Sequence, residues 1–109
     1  MEGLKQMDIA DAAVVAKNIR GQILKLLYFR QCDKVTVSMI RGLLRYKNYS
    51  SEKAVEQAIR YLAGEGKRYI LVEINDNDFE DSLVEISPTG IDLMENENEK
   101  RDIGVNINE

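Results

Sequence analysis

Residues 50–90 read SSEKAVEQAIRYLAGEGKRYILVEINDNDFEDSLVEISPTG, and the hydrophobic period changes once inside them. Val55, Ala58, Ile59 and Leu62 fall at three- and four-residue steps, one stripe of a helix. Lys53, Glu56, Gln57, Arg60 and Tyr61 take the other side. Ser50 or Ser51 can cap this helix, and Glu52 in its first turn suits the positive end of the helix dipole. Gly64 or Gly66 is expected to end it in a left-handed conformation. From Lys67 to Ile74 the period is two, with Ile70, Val72 and Ile74 alternating with Tyr69, Leu71 and Glu73. Asn75–Asp81 is a polar loop. Ser82–Ser87, with Val84 and Ile86 on one face, is a second strand, so the pair reads as an antiparallel hairpin. Ser87-Pro88 then opens a last helix, serine as cap and proline at the first position. Ile91, Leu93 and Met94 form its apolar side.

Upstream, Val15, Ile19, Ile23, Leu26 and Leu27 mark a long first helix from Asp8 or Asp11 to Arg30. Leu4, Met7, Ile9, Ala12 and Ala13 either extend it or form a short helix of their own. Gly21 weakens one rigid helix by about 1 kcal/mol relative to alanine. Val35, Thr36 and Val37 are β-branched and suit a short strand. Thr36 or Ser38 can cap a second helix with Met39, Ile40, Leu43 and Leu44 buried and Arg41 and Arg45 facing away. Tyr46 to Ser50 is the turn into the third helix.

Three helices, a turn between the second and third, then a hairpin: in this order the chain resembles the winged helix-turn-helix superfamily. The resemblance covers about residues 14–94 and implies an α+β fold with a three-helix core, an antiparallel wing of two or three strands and a short C-terminal helix. Ile23-Leu24-Lys25-Leu26-Leu27, Ile40-x-x-Leu43-Leu44 and Val55-x-x-Ala58-Ile59-x-x-Leu62 carry it. So do Gly64-Glu65-Gly66 before the first wing strand and Ile86-Ser87-Pro88-Thr89-Gly90 after the second. Residues 1–13 are then an N-terminal helical extension, 14–94 the winged-helix domain and 95–109 an acidic mobile tail. The chain also resembles the small winged-helix proteins of Mu-like prophages, through Arg20-Gly21-Gln22-Ile23-Leu24 and Gly104-Val105. It has Ile103 where those proteins usually have proline, and it carries an added N-terminal segment. That likeness implies phage origin more than mechanism.

The charge order bears on function. Lys17 to Val72 holds twelve Lys or Arg and four Asp or Glu, a net of +8. Glu73 to Glu109 holds two basic and twelve acidic residues, a net of −10. A local basic field matters more for nucleic acid than the overall charge of −4. In a winged helix the third helix usually enters the major groove. The resemblance therefore nominates Ser50, Ser51, Lys53, Gln57 and Arg60 on that helix, and Arg41, Arg45 and Lys47 on the preceding helix and turn, as contacts to double-stranded DNA. The plainer alternative is that Lys53 and Arg60 pair with Glu52 and Glu56 along one helix. The loop Asn75-Asp76-Asn77-Asp78-Phe79-Glu80-Asp81 would be repelled by phosphate, so the wing points away from DNA or the domain binds a protein through its acidic wing or tail.

Other classes find little support. No histidine is present, which leaves no Ser-His or Cys-His pairing and no usual zinc site. No phosphate-cradling glycine motif occurs, and the Asn/Asp loop lacks the glycine and distal glutamate of a calcium loop. We therefore expect no enzyme, no cofactor and no metal. Cys32 is the single cysteine and reads as a small residue near a helix end rather than a redox sensor. Tyr28, Phe29, Tyr46 and Tyr49 read as packing at the core edge, or Tyr46 or Tyr49 touches a phosphate or base. With no apolar run of bilayer length and no signal-peptide layout, the expectation is a cytoplasmic transcriptional regulator. The apolar N-terminal segment suggests a homodimer.

Overall fold

The computed structural model describes residues 9–31, 33–45, 51–96 and 102–107. They form four helices and one three-stranded antiparallel sheet, a small α+β fold. In chain order these are α1 (Ile9–Tyr28), β1 (Val35–Thr36), α2 (Val37–Arg45), α3 (Glu52–Ala63), β2 (Ile70–Glu73), β3 (Leu83–Ile86) and α4 (Pro88–Glu95). The sheet order is β1-β3-β2, with Val84 opposite Val35 on one side and Val72 on the other. Among the described residues no helix is long and apolar enough to cross a membrane.

The core is aliphatic and continuous. Ile19, Ile23 and Leu27 of α1 meet Ile40 and Leu44 of α2, Val55, Ile59 and Leu62 of α3, and Val84 and Ile86 of β3. Each fully buried aliphatic side chain contributes roughly 1.5–3 kcal/mol, which fixes the helices against one another. Leu24 is also fully buried, because α4 and β3 cover a second face of α1. Met39 and Leu43 were expected in the α2 core face but are each 43% exposed; the buried face of α2 is Val37, Ile40 and Leu44, one stripe at steps of three and four.

The caps follow local chemistry. The Thr36 hydroxyl accepts from the Met39 amide and starts α2. Ser51 accepts from Ala54 N at 3.3 Å and caps α3, and Ser87 accepts from Gly90 N at 3.1 Å with Pro88 behind it. One cap departs from expectation. Gly64 ends α3 with extended dihedrals, and no described glycine is left-handed. The left-handed residue lies further on, in the α3–β2 connection: Arg68, at φ 54°, turns its amide back to Gly64 O while its carbonyl accepts from Ser87 Oγ.

Residues 9–13 extend the first helix, the first of the two alternatives for the N-terminal segment, and residues 1–8 lie outside the described residues. Residues 102–107 are no mobile tail. Val105 and Ile107 are buried, the Asn106 amide donates to Lys17 O, and the Asn106 side chain donates to Asn18 Oδ1 at 2.6 Å. A Cβ on Gly21 would collide with the Asn106 carbonyl, so the glycine inside α1 is what lets this segment lie against the helix.

Candidate nucleic-acid interface

The outward side of α3 is set by its buried stripe. With Val55, Ala58, Ile59 and Leu62 inside, Lys53 and Gln57 face solvent. Arg45, at the end of α2, is exposed as well, and neither it nor Lys53 forms an ion pair with any described residue. Ser51 is exposed and its hydroxyl is engaged as the α3 cap, which leaves it at the helix end where first-turn amides also collect. Lys47, Ser50, Tyr46 and Tyr49 lie outside the described residues, as does Cys32.

Two nominated cations are not exposed free charges. Arg41 is held by the β2–β3 loop. Its Nη2 lies 2.7 Å and its Nε 3.1 Å from Glu80 Oε1, both side chains being only 23% exposed, and Glu52 adds a third contact at 3.6 Å. Two hydrogen bonds from one guanidinium to one carboxylate oxygen, on side chains partly shielded from solvent, hold this pair more firmly than a fully exposed surface pair. The Glu80 bond also raises the Arg41 pKa further above its already high value. Arg60 donates to Glu56 at 2.9 Å on its own helix, and its guanidinium lies 4.7 Å from the Phe79 ring centroid. The helix-pairing alternative thus holds for Arg60. Glu52 turns to Arg41 rather than to Lys53.

The loop's Asn/Asp alternation has a backbone explanation. Asn75 Oδ1 accepts from the amides of Asn77 and Asp78, and Asp78 caps the 3₁₀ turn Phe79–Asp81. That turn presents Phe79 and Glu80 to α3 and α2. Asp76 and Asp81 remain exposed. Among the described residues no group of three or more Cys, Asp or Glu gathers to hold a metal ion.

A second polar cluster went unread in the sequence. Arg20 of α1 donates to Gly104 O at 3.0 Å and stacks 3.6 Å from the Tyr61 ring centroid. Asp102 accepts from Lys67 and Tyr69 at 2.7 Å each and from the Gly104 amide at 2.6 Å. Burial works to raise the Asp102 carboxyl, but these hydrogen bonds, Lys67 foremost, hold it below the ordinary carboxylate range. Burial, then the bond to Asp102, pushes the Tyr69 hydroxyl up to about 12. The bond to Asp102 raises Lys67 despite some desolvation. The cluster fastens residues 102–104 to α1 and to the α3–β2 connection, and Asp102 neutralises Lys67, while Arg20 keeps its charge but is held against Tyr61 and Gly104. The Arg20 and Gly104-Val105 stretches that suggested a prophage protein are here in contact. The aromatic residues divide: Tyr28 is half-buried and donates to Glu95 of α4 at 2.8 Å, whereas Phe29 is 78% exposed, past the end of α1. Compared with known proteins, the chain matches no family model, no curated protein and no solved structure.

Proposed function

We propose that this chain is a winged helix-turn-helix protein that binds double-stranded DNA as a transcriptional regulator of phage or bacterial type, with α3 presented to the major groove. The observation that carries the reading is the exposed side of α3. Lys53 and Gln57 stand together on it, Arg45 follows on α2, and the opposite side of the helix is locked in the core. A lysine and an arginine suit phosphates, and a glutamine amide can pair with the N6 and N7 of adenine. The element order supports the fold assignment: helix α2, then helix α3, then the β2–β3 hairpin as the wing.

Fluorescence polarisation on random duplex DNA over a salt series tests the reading. The wild type is expected to bind at low salt and to lose affinity steeply as counterion release weakens. Arg45→Ala with Lys53→Ala should weaken binding about equally on all sequences and reduce the salt slope by roughly two charges. Arg41→Ala should change the slope less, because Glu80 already neutralises that cation. One observation favours a second reading, a protein-interaction module on the same scaffold. The acidic loop occupies Arg41, a position from which a winged helix would grip the DNA backbone. Absence of any DNA binding at low salt decides for that module.

A further inference from the structure

Strand β2 ends the sheet on one side, and no described strand pairs its outer edge. Across the hairpin the Ser87 amide donates to Tyr69 O, and Leu71 and Glu73 lie opposite Glu85 and Leu83. Successive residues of a strand turn their backbone groups to opposite sides. Tyr69, Leu71 and Glu73 therefore face β3, and the N–H and C=O groups of Ile70 and Val72 point to the open edge. Ile74 continues the alternation, since the next amide, Asn75 N, turns back to Ser82 Oγ. Native edges are blunted by proline, lysine or a bulge. Residues 70–74 read ILVEI, without proline or lysine, and the register with β3 is unbroken. Leu71 is 50% and Ile74 53% exposed, on opposite faces of the strand. A hollow of about 330 Å³ opens beside the edge, lined by Ala63 and Glu65 as well as by Ile70, Leu71, Val72 and Ile74. The strand, its loop and α3 all fall within residues 51–96, which are described without a gap.

We propose that this edge pairs with the same edge of a second copy, antiparallel about a two-fold axis at Val72. Val72 then faces the partner's Val72, and Ile70 faces the partner's Ile74. Each pair exchanges both of its N–H···O bonds, so every outward group from Ile70 to Ile74 is used. A register shifted toward the strand start would set Ile74 against Arg68, whose amide already donates to Gly64 O. The charge order selects the occupant. Arg68 precedes the strand and Asp76 follows it, each four residues from Val72. Both are exposed, and neither forms an ion pair with any described residue. The two-fold axis brings Arg68 of each copy to the partner's Asp76, at both ends of the ladder. Parallel copies would align Arg68 with Arg68 and Asp76 with Asp76. Ile74 of each copy covers the partner's hollow beside its Ile70. On the other face Leu71 lies along the stem of the partner's Glu73, whose carboxylate stays with Lys34. The contact is self-complementary, as a two-fold interface must be. Being small, it gives a weak dimer that forms as concentration rises. The pairing does not rest on the DNA-binding reading, and its test involves no DNA.

Sedimentation equilibrium of the full chain, from the low micromolar range to about 200 μM, measures the association. The wild type should move from 12.4 kDa toward twice that mass as concentration rises. Arg68→Asp and Asp76→Arg should each weaken the dimer about tenfold, since each turns two attractions into repulsions. Arg68→Asp combined with Asp76→Arg should return to the wild-type affinity. Both positions are exposed and aspartate tolerates the left-handed φ of Arg68, so circular dichroism should not change. Amide hydrogen exchange gives a readout free of substitutions. The Val72 amide should exchange more slowly in the concentrated sample than in the dilute one, and the Ile23 amide inside α1 equally in both. A chain monomeric across the range overturns the proposal and leaves the edge to an extended segment of another protein. Single variants that dimerise like the wild type, a double variant as weak as either single, or a Val72 amide indifferent to concentration overturn it as well.

Discussion

Gly21 and Gly42 both sit inside helices, and they should respond to alanine with opposite signs. Gly42 in α2 has nothing within 4 Å of an added methyl group, so Gly42→Ala should stabilise by about 0.5–1 kcal/mol through helix propensity. Gly21→Ala gains the same propensity but drives a methyl group into the Asn106 carbonyl. It should destabilise the wild type, yet stabilise a chain that lacks residues 102–109. Urea denaturation of the four proteins measures this, and a stabilised Gly21→Ala in the full chain would contradict the packing described here. Tyr69 and Asp102 give the same segment a pH signature. Tyr69 has its pKa raised from an ordinary 10 to about 12, so the folded state holds the proton longer. Stability from this bond is complete below pH 10 and declines as pH rises toward 12. Asp102 is depressed, so its contribution is present above the ordinary carboxylate range and lost as pH falls through and below it. Tyr69→Phe should flatten the alkaline limb of a stability–pH curve and leave most of the acid limb.

Among the elements, the β2–β3 loop has a role of its own. Its 3₁₀ turn lays Glu80 on Arg41, so the loop acts as an internal counterion for α2. Glu80→Gln should free that guanidinium and, on the DNA-binding reading, raise affinity most at low salt, with a slope steeper by about one charge. Reduced affinity in a folded Glu80→Gln protein would mean that the loop supports the DNA-binding surface rather than restraining it. The elements were largely legible in the sequence, and the reasons are local. The α3 stripe, the Ser51 cap, the Ser87-Pro88 start and the alternating strands each depend on neighbours within about one turn. The contacts that remake the candidate site lie further off. Arg41 was read as facing away from the core, but it is held by Glu80, 39 residues away, and no pattern linked them. Val105 and Ile107 stand among Gly and Asn in a stretch too short to show a period, so their burial could not be read.

Across the whole molecule, the charge of the sequence and the charge of the folded surface differ. The middle of the chain is strongly basic when read in order. On folding, Lys34 finds Glu73, Arg41 finds Glu80 and Lys67 finds Asp102, each acid coming from the acidic end. Among the described residues, Arg30, Arg45, Lys53 and Arg68 are exposed and none has an ion pair with a described residue, so the positive field left outside is narrower than the full span from Lys17 to Val72. The docking of residues 102–107 on α1 also sets an order of assembly. The bonds from Arg20 to Gly104 and from Asn106 to Asn18 span 84 and 88 positions. Contacts so distant in sequence form late, because the intervening loop must first be closed by nearer ones. A chain emerging from the ribosome can therefore assemble α1, α2, α3 and the sheet while one side of its first helix is still bare. That side closes only when residue 107 arrives, and until then the nascent domain is a half-sealed core exposed to whatever else is folding nearby.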